Sequence, residues 1–266
     1  MPTICRIQFS LMAMTVALVT GCDAPRDTKN PNTPAGDGLV FTMKTQEKTL
    51  DGCIAGEDGC TYVRLDYPAI LEAPDGTAVE SISGAVLAFL GAPLGEDDPA
   101  GSPEALMDAF LKDYRDLKAH DPSYSHPWFL ERKAFVLNNT PDVVSLSFVE
   151  RSYTGGAHGM EVFHYENLDP HTGEALPLSS LFTDGYEEEL LKLAETRFRE
   201  VRGIAEGMTL TEAGFTFDHG VFALSEEFAI GEEGLIFHYN PYDVAPYALG
   251  PTEIVLSYDE LAPLLK

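Results

Sequence analysis

The chain has 266 residues, 44% of them hydrophobic, with 43 acidic against 17 basic side chains and a formal charge of −26. That balance disfavours nucleic acid or an anionic membrane surface as a partner and favours a cationic one. It serves equally as a solubilising surface or an adaptation to salt, and a chain of this length can bury a substantial core.

At the N-terminus a short basic region with Arg6 is followed by an uncharged apolar run from Phe9 to Val19 and then by Val19-Thr20-Gly21-Cys22. The run is about half the roughly 20 residues that a membrane-spanning helix needs, and small residues precede the cysteine. Residues 1–21 therefore read as a bacterial lipoprotein signal peptide. Cleavage before Cys22 would leave that residue lipidated and the chain held at a membrane; an ordinary secretory signal cut nearby is the alternative. Asp23 resembles the residue that retains lipoproteins in the inner membrane of Gram-negative enteric bacteria; the expected location is the periplasmic side of the cell envelope, lipid-anchored, and in a Gram-negative cell at the inner membrane. Residues 22–38 carry no apolar side chain larger than alanine, proline and Cys22 itself, and read as a flexible tether.

Cys5 leaves with the signal and Cys22 takes lipid, so Cys53 and Cys60 remain as a pair in an oxidising compartment. The turn-rich Ile54-Ala55-Gly56-Glu57-Asp58-Gly59 between them lets a disulfide close at a hairpin tip. A metal site competes poorly, because two thiols with no nearby histidine lack four zinc ligands. Leu39 to Met43 leads into this hairpin, and Thr61 to Tyr67 leads out before Pro68 ends the run.

Ser81 to Leu90 reads as a short helix. Ser102-Pro103-Glu104 supplies an N-cap, a proline at the first helical position and a first-turn acid, and Leu106, Phe110, Tyr114 and Leu117 then line one buried face. From Trp128 to Tyr165 the period changes to two in three runs, Trp128–Leu137, Val143–Tyr153 and Met160–Tyr165, giving an antiparallel meander covered on one side by the preceding helix. A second amphipathic helix spans about Tyr186 to Arg202. Strands near Phe222–Ile230, Leu235–Tyr239 and Glu253–Ser257 follow, and Ser257 with Glu260 forms a capping box for a last short helix. The class is α+β, antiparallel sheets with packed helices in two intimately associated subdomains, residues 39–158 and 159–266.

Three stretches, Phe148-Val149-Glu150-Arg151-Ser152-Tyr153-Thr154-Gly155-Gly156-Ala157-His158-Gly159, Asn167 to Gly173 with Leu178 to Phe182, and Gly234 to Pro251, resemble in order the exported PdaC/RsiV-like superfamily. The resemblance covers Leu39 to Lys266. Its better-known members are an anti-sigma factor whose outer domain binds lysozyme and a peptidoglycan deacetylase in which this module accompanies a separate catalytic domain. Here no sigma-binding segment is expected before Cys22 and there is no room for the deacetylase domain. The resemblance thus implies at most the ligand-binding role of the outer domain.

The Gly155-Gly156-Ala157-His158-Gly159 loop, with Tyr153 before it, is the most conspicuous polar constellation. Its glycines allow close approach of a ligand, with His158 as a hydrogen-bond donor; alternatively they supply positive φ in a hairpin connection that His158 plugs. Tyr242 and Tyr247 stand on a proline-stiffened loop, either as interface anchors or as a seal on the core edge. His158 and His164 on one straight strand would lie roughly 20 Å apart, too far to share a metal ion. No catalytic motif, cofactor or metal is expected. Three readings stand: a module binding a cationic wall-active protein such as lysozyme, a structural or peptidoglycan-associated envelope protein, and a peptidoglycan-active enzyme using His158 and an acid.

Overall fold

In the computed structural model, residues 38–95 and 101–266 are described. The expected signal peptide, the expected lipidation site Cys22 and the expected tether before Gly38 lie outside them. Strand β1 (Val40–Thr49) pairs antiparallel with β2 (Tyr62–Glu72), and the Cys53–Cys60 disulfide ties their connection with a Cα separation of 5.6 Å. Helices α1 (Val79–Leu90) and α2 (Pro103–His120) then carry the chain back, so that β3 (Phe129–Asn139) joins β2 in parallel. Such pairing needs a long crossover, which the two helices supply. With β4 (Val144–Tyr153) and β5 (Met160–Leu168) the first sheet runs β1-β2-β3-β4-β5, antiparallel apart from that one pair.

One face of this sheet packs on both helices. Val63, Leu65, Leu130, Leu146 and Phe148 meet Ile82, Val86 and Leu90 of α1 and Leu106, Phe110 and Leu111 of α2. The Ser102 hydroxyl accepts from Ala105 N at 3.2 Å and starts α2 as its sequence requires. Arg132 is 2% exposed on this same face. Its Nη1 donates to the carbonyls of Phe89, Leu90 and Ala92, at 2.9, 3.2 and 2.7 Å, while its Nη2 meets Glu150 at 2.8 Å. A buried cation thereby satisfies carbonyls that the last turn of α1 leaves open.

The remaining elements are α3 (Glu187–Arg202), a three-stranded antiparallel sheet of β6 (Phe228–Ile230), β7 (Gly234–Tyr239) and β8 (Thr252–Ser257), and the short α4 (Tyr258–Leu261). Leu190, Ala194 and Phe198 recur every fourth residue along α3 and face this sheet. Phe198 lies 5.0–5.5 Å from the rings of Phe215, Phe217, Phe222 and Tyr239. The capping box at Ser257 and Glu260 is present. The strand expected from Phe222 is confined to Phe228–Ile230, because the Ser225 hydroxyl donates to the His238 carbonyl and accepts from Glu227 N, bending the chain out of extended pairing.

The sheets meet along β5. A division at 158/159 would cut β4 from β5, which share a continuous ladder; the first sheet instead closes at Leu168. The free edge of β5 is met by side chains. Asn240 accepts from Phe163 N at 2.7 Å and donates to Phe163 O at 2.9 Å, and Glu227 accepts from Tyr165 N at 3.0 Å. Asn167 reaches the other way, accepting from Ile230 N at 2.8 Å and donating to Phe228 O at 2.9 Å. Ser145 and Ser147 are both buried, and Ser145 Oγ donates to the Ile230 carbonyl at 2.8 Å across this joint.

Candidate functional site

At one end of the first sheet the β4–β5 connection turns through Gly155 and Gly156, with φ of 106° and 98°. These values favour glycine, and a Cβ on Gly155 would stand 2.7 Å from the Tyr124 hydroxyl. Tyr124 is itself held there, accepting from Trp128 Nε1 at 2.8 Å. Tyr153 closes the loop from within: its hydroxyl donates to Gly156 O at 3.1 Å, and its ring stacks on Phe129, which stacks on Tyr62. Burial, helped by a hydrogen bond to Glu131, pushes the Tyr62 hydroxyl up to about 12.

The loop's histidine meets the distant tyrosine segment. The His158 ring lies flat on Tyr247, centroids 3.7 Å apart and planes 14° from parallel, and Tyr242 follows at 5.7 Å. Both His158 Nδ1, at 2.8 Å, and the Tyr247 hydroxyl, at 3.0 Å, donate to the carbonyl of Gly159. Asn240 N and Asp243 exchange bonds around a tight turn that holds Tyr242 at φ 76° with 56% of its surface exposed. A large side chain kept in a left-handed conformation on the surface is an energetic cost that the turn sustains. Tyr247 thus joins three rings in one group, His158 stacked on it and Tyr242 tilted 33° against it, with His158 and Tyr242 both exposed.

Two families match the chain. The one described as Deacetylase PdaC matches residues 54–161, and the one described as Protein of unknown function (DUF3298) matches residues 179–259. The chain carries a PdaC/DUF3298-like domain of unknown function. Among solved structures, a DUF3298 family member from Bacteroides fragilis NCTC 9343 is 19% identical at a TM-score of 0.64, over 86% of this chain and 94% of its own. A DUF3298 family protein from Pseudomonas aeruginosa PAO1 is 21% identical at a TM-score of 0.59, over 89% of this chain and 96% of its own. Both share the fold. No curated protein sequence matches the chain.

The ring stack sits where the PdaC and DUF3298 regions meet, His158 coming from the first and Tyr242 and Tyr247 from the second. Beside it, Pro241, Tyr247, Gly250, Pro251 and Glu161 line a notch of about 190 Å³. A larger open hollow of about 360 Å³ is bordered by Phe217, Tyr239, Glu226, Glu227 and Asp243. Its carboxylates are partly engaged already, since Asp243 accepts from Asn240 N and Glu227 accepts from Tyr165 N and contacts His164.

Glu161 ends a row that crosses the whole first sheet. Glu47, Arg64, Glu131, Arg151 and Glu161 are successive register partners on β1 to β5. Arg64 lies 3.9 Å from Glu47, and Arg151 lies 3.2 Å from Glu131 and 3.1 Å from Glu161. Opposite charges directly across strands attract, so the alternation fixes register while leaving the face hydrophilic. Sequence periodicity alone did not single out Tyr124, Asn240 or this row. The row becomes readable only when strand register is known, whereas Asn240-Pro241 already carries a turn signal.

His158 and His164 serve different partners. His164 stacks on Phe148 and contacts Glu227 at 2.9 Å, a hydrogen bond that raises its pKa above the ordinary 6.5. Among the described residues no carboxylate bonds to His158, and no group of three metal-ligating side chains is found. His158 keeps its Nδ1 on the Gly159 carbonyl and one ring face on Tyr247.

Proposed function

We propose that this protein is a non-catalytic binding module of the cell envelope, tethered by lipid on Cys22, that captures a cationic wall-active protein such as lysozyme on its histidine–tyrosine ring stack. The observation that carries this reading is the convergence of His158, Tyr247 and Tyr242 from two loops into one preformed, outward-facing aromatic surface. Rigid aromatic anchors contribute large contact area at little ordering cost. The charge of −26 would accelerate encounter with a basic partner, while the rings would supply specificity.

Calorimetry of the purified chain with a chicken-type lysozyme at low and at 0.3 M salt, with lysozyme activity read in parallel, tests this. We expect micromolar or tighter binding that survives roughly 0.3 M salt, where screening confines exposed charge pairs to about 6 Å. Tyr242→Ala should weaken it at least about tenfold, as expected for a central aromatic anchor. Binding that vanishes on screening, or that Tyr242→Ala leaves unchanged, refutes the ring stack as the anchor. Co-sedimentation with purified cell wall in place of lysozyme binding would instead favour a structural, peptidoglycan-associated role.

A further inference from the structure

The charge row of the first sheet alternates without interruption, negative at Glu47, positive at Arg64, negative at Glu131, positive at Arg151 and negative at Glu161. It stops on a carboxylate. Glu161 keeps 47% of its side chain exposed, and its Oε2 lies 3.1 Å from Arg151, which is itself shared with Glu131. Among the described residues no sixth strand follows β5 to supply the next cation. There is instead the 190 Å³ notch, whose other walls are the rings of Pro241, Pro251 and Tyr247 and the bare backbone of Gly250.

We propose that this notch receives a lysine or arginine side chain of the captured protein, its stem along the two prolines and Tyr247 and its charged end on Glu161. Long basic side chains divide in this way between apolar surface and an ionic partner. The guest cation takes the vacant sixth place in the alternation. Three further features agree with such an occupant. The volume suits one extended side chain and not a cofactor, the one carboxylate in the lining is Glu161 with no basic residue among the other lining groups, and the overall charge of the chain favours basic guests. This assignment rests on the proposed binding role and names the group that the site recognises. It gives the ring stack a neighbour that reads charge, so that the aromatic surface and the notch together contact an apolar patch beside a basic residue.

Glu161→Gln removes the charge and keeps the shape, and Arg151 retains Glu131 in that variant. Glu188→Gln on exposed α3 makes the same change in net charge far along the chain. Full-length wild type and both variants would be titrated with lysozyme, and separately with Nα-acetyl-arginine amide and Nα-acetyl-lysine amide while the amide resonances of Tyr247 and Gly250 are followed. Glu161→Gln should weaken lysozyme binding roughly fivefold, the upper range for a partly exposed ion pair. Glu188→Gln should change it by no more than about twofold, because distant exposed charges are screened. The small amides should shift Gly250 in wild type and not in Glu161→Gln. Equal effects of the two variants on lysozyme overturn the notch and leave the binding reading standing. If wild type binds no lysozyme, the binding reading falls and the amides decide alone: shifts that depend on Glu161 uphold the notch, and their absence overturns it.

Discussion

Gly155 shows how a single residue positions the site. Its φ of 106° and its approach to the Tyr124 hydroxyl both exclude a Cβ. Gly155→Ala should therefore destabilise the fold by about 1–2 kcal/mol, the range for strain at a left-handed position. Because Tyr124 is pinned by Trp128, the loop must give way, carrying His158 off Tyr247. Chemical denaturation would read the stability change, and an unaltered midpoint would mean that the loop is loosely placed. The glycines, His158 and both tyrosines are each conspicuous in the sequence, as backbone-permissive or aromatic residues on turn-rich segments. Their assembly is not, because stacking between positions 158 and 247 depends on how two sheets meet. Nor does local pattern reveal Tyr124, whose role is to fill the space that Gly155 leaves.

Among the elements, those governed by local chemistry were legible. The disulfide hairpin, the Ser102 start of α2, the apolar stripe of α3 and the Ser257–Glu260 box each rest on residues within a few positions of one another. The parallel pairing of β2 with β3 was not, since periodicity of two does not distinguish strand direction. The same limit hid the joint along β5, where side chains of Asn240 and Glu227 stand in for strand partners. That joint should respond to pH. The hydrogen bond to Glu227 raises the His164 pKa above 6.5, and burial raises the Glu166 pKa above 4.5. In both cases the folded state holds its proton more tightly than the unfolded state, so stability falls as pH rises through each folded pKa. His164 contributes fully below 6.5 and loses its contribution above it. Burial penalises Glu166 only when it is charged, so stability is greatest below 4.5 and falls as pH rises from there through its raised folded pKa. Denaturation midpoints should accordingly decline from mildly acidic to mildly alkaline pH. His164→Gln should flatten the part of that slope above 6.5, and an unchanged slope there would show that the Glu227 contact contributes nothing.

For the whole molecule, the lipid proposed on Cys22 raises the question of where the chain enters the described head. The described chain begins beside Asn139, which accepts from Leu39 N at 3.1 Å and donates to Leu39 O at 2.7 Å. Asn139 is the last residue of β3, whereas Phe129, its first, stacks on Tyr153 beneath the glycine loop. The strand between them spans roughly 30 Å at the rise of an extended chain. The described chain thus enters the head at the end of the first sheet remote from the ring stack. It follows that anchoring and binding are separable. Cys22→Ser should abolish incorporation of labelled fatty acid and move the protein from the membrane to the soluble fraction, while its affinity for lysozyme stays within about twofold of wild type, as expected for sites far apart with no shared contacts. Labelling that persists in Cys22→Ser would refute the lipid assignment. A loss of affinity in the released protein would instead mean that the membrane surface takes part in capture and that anchoring and binding are not separable.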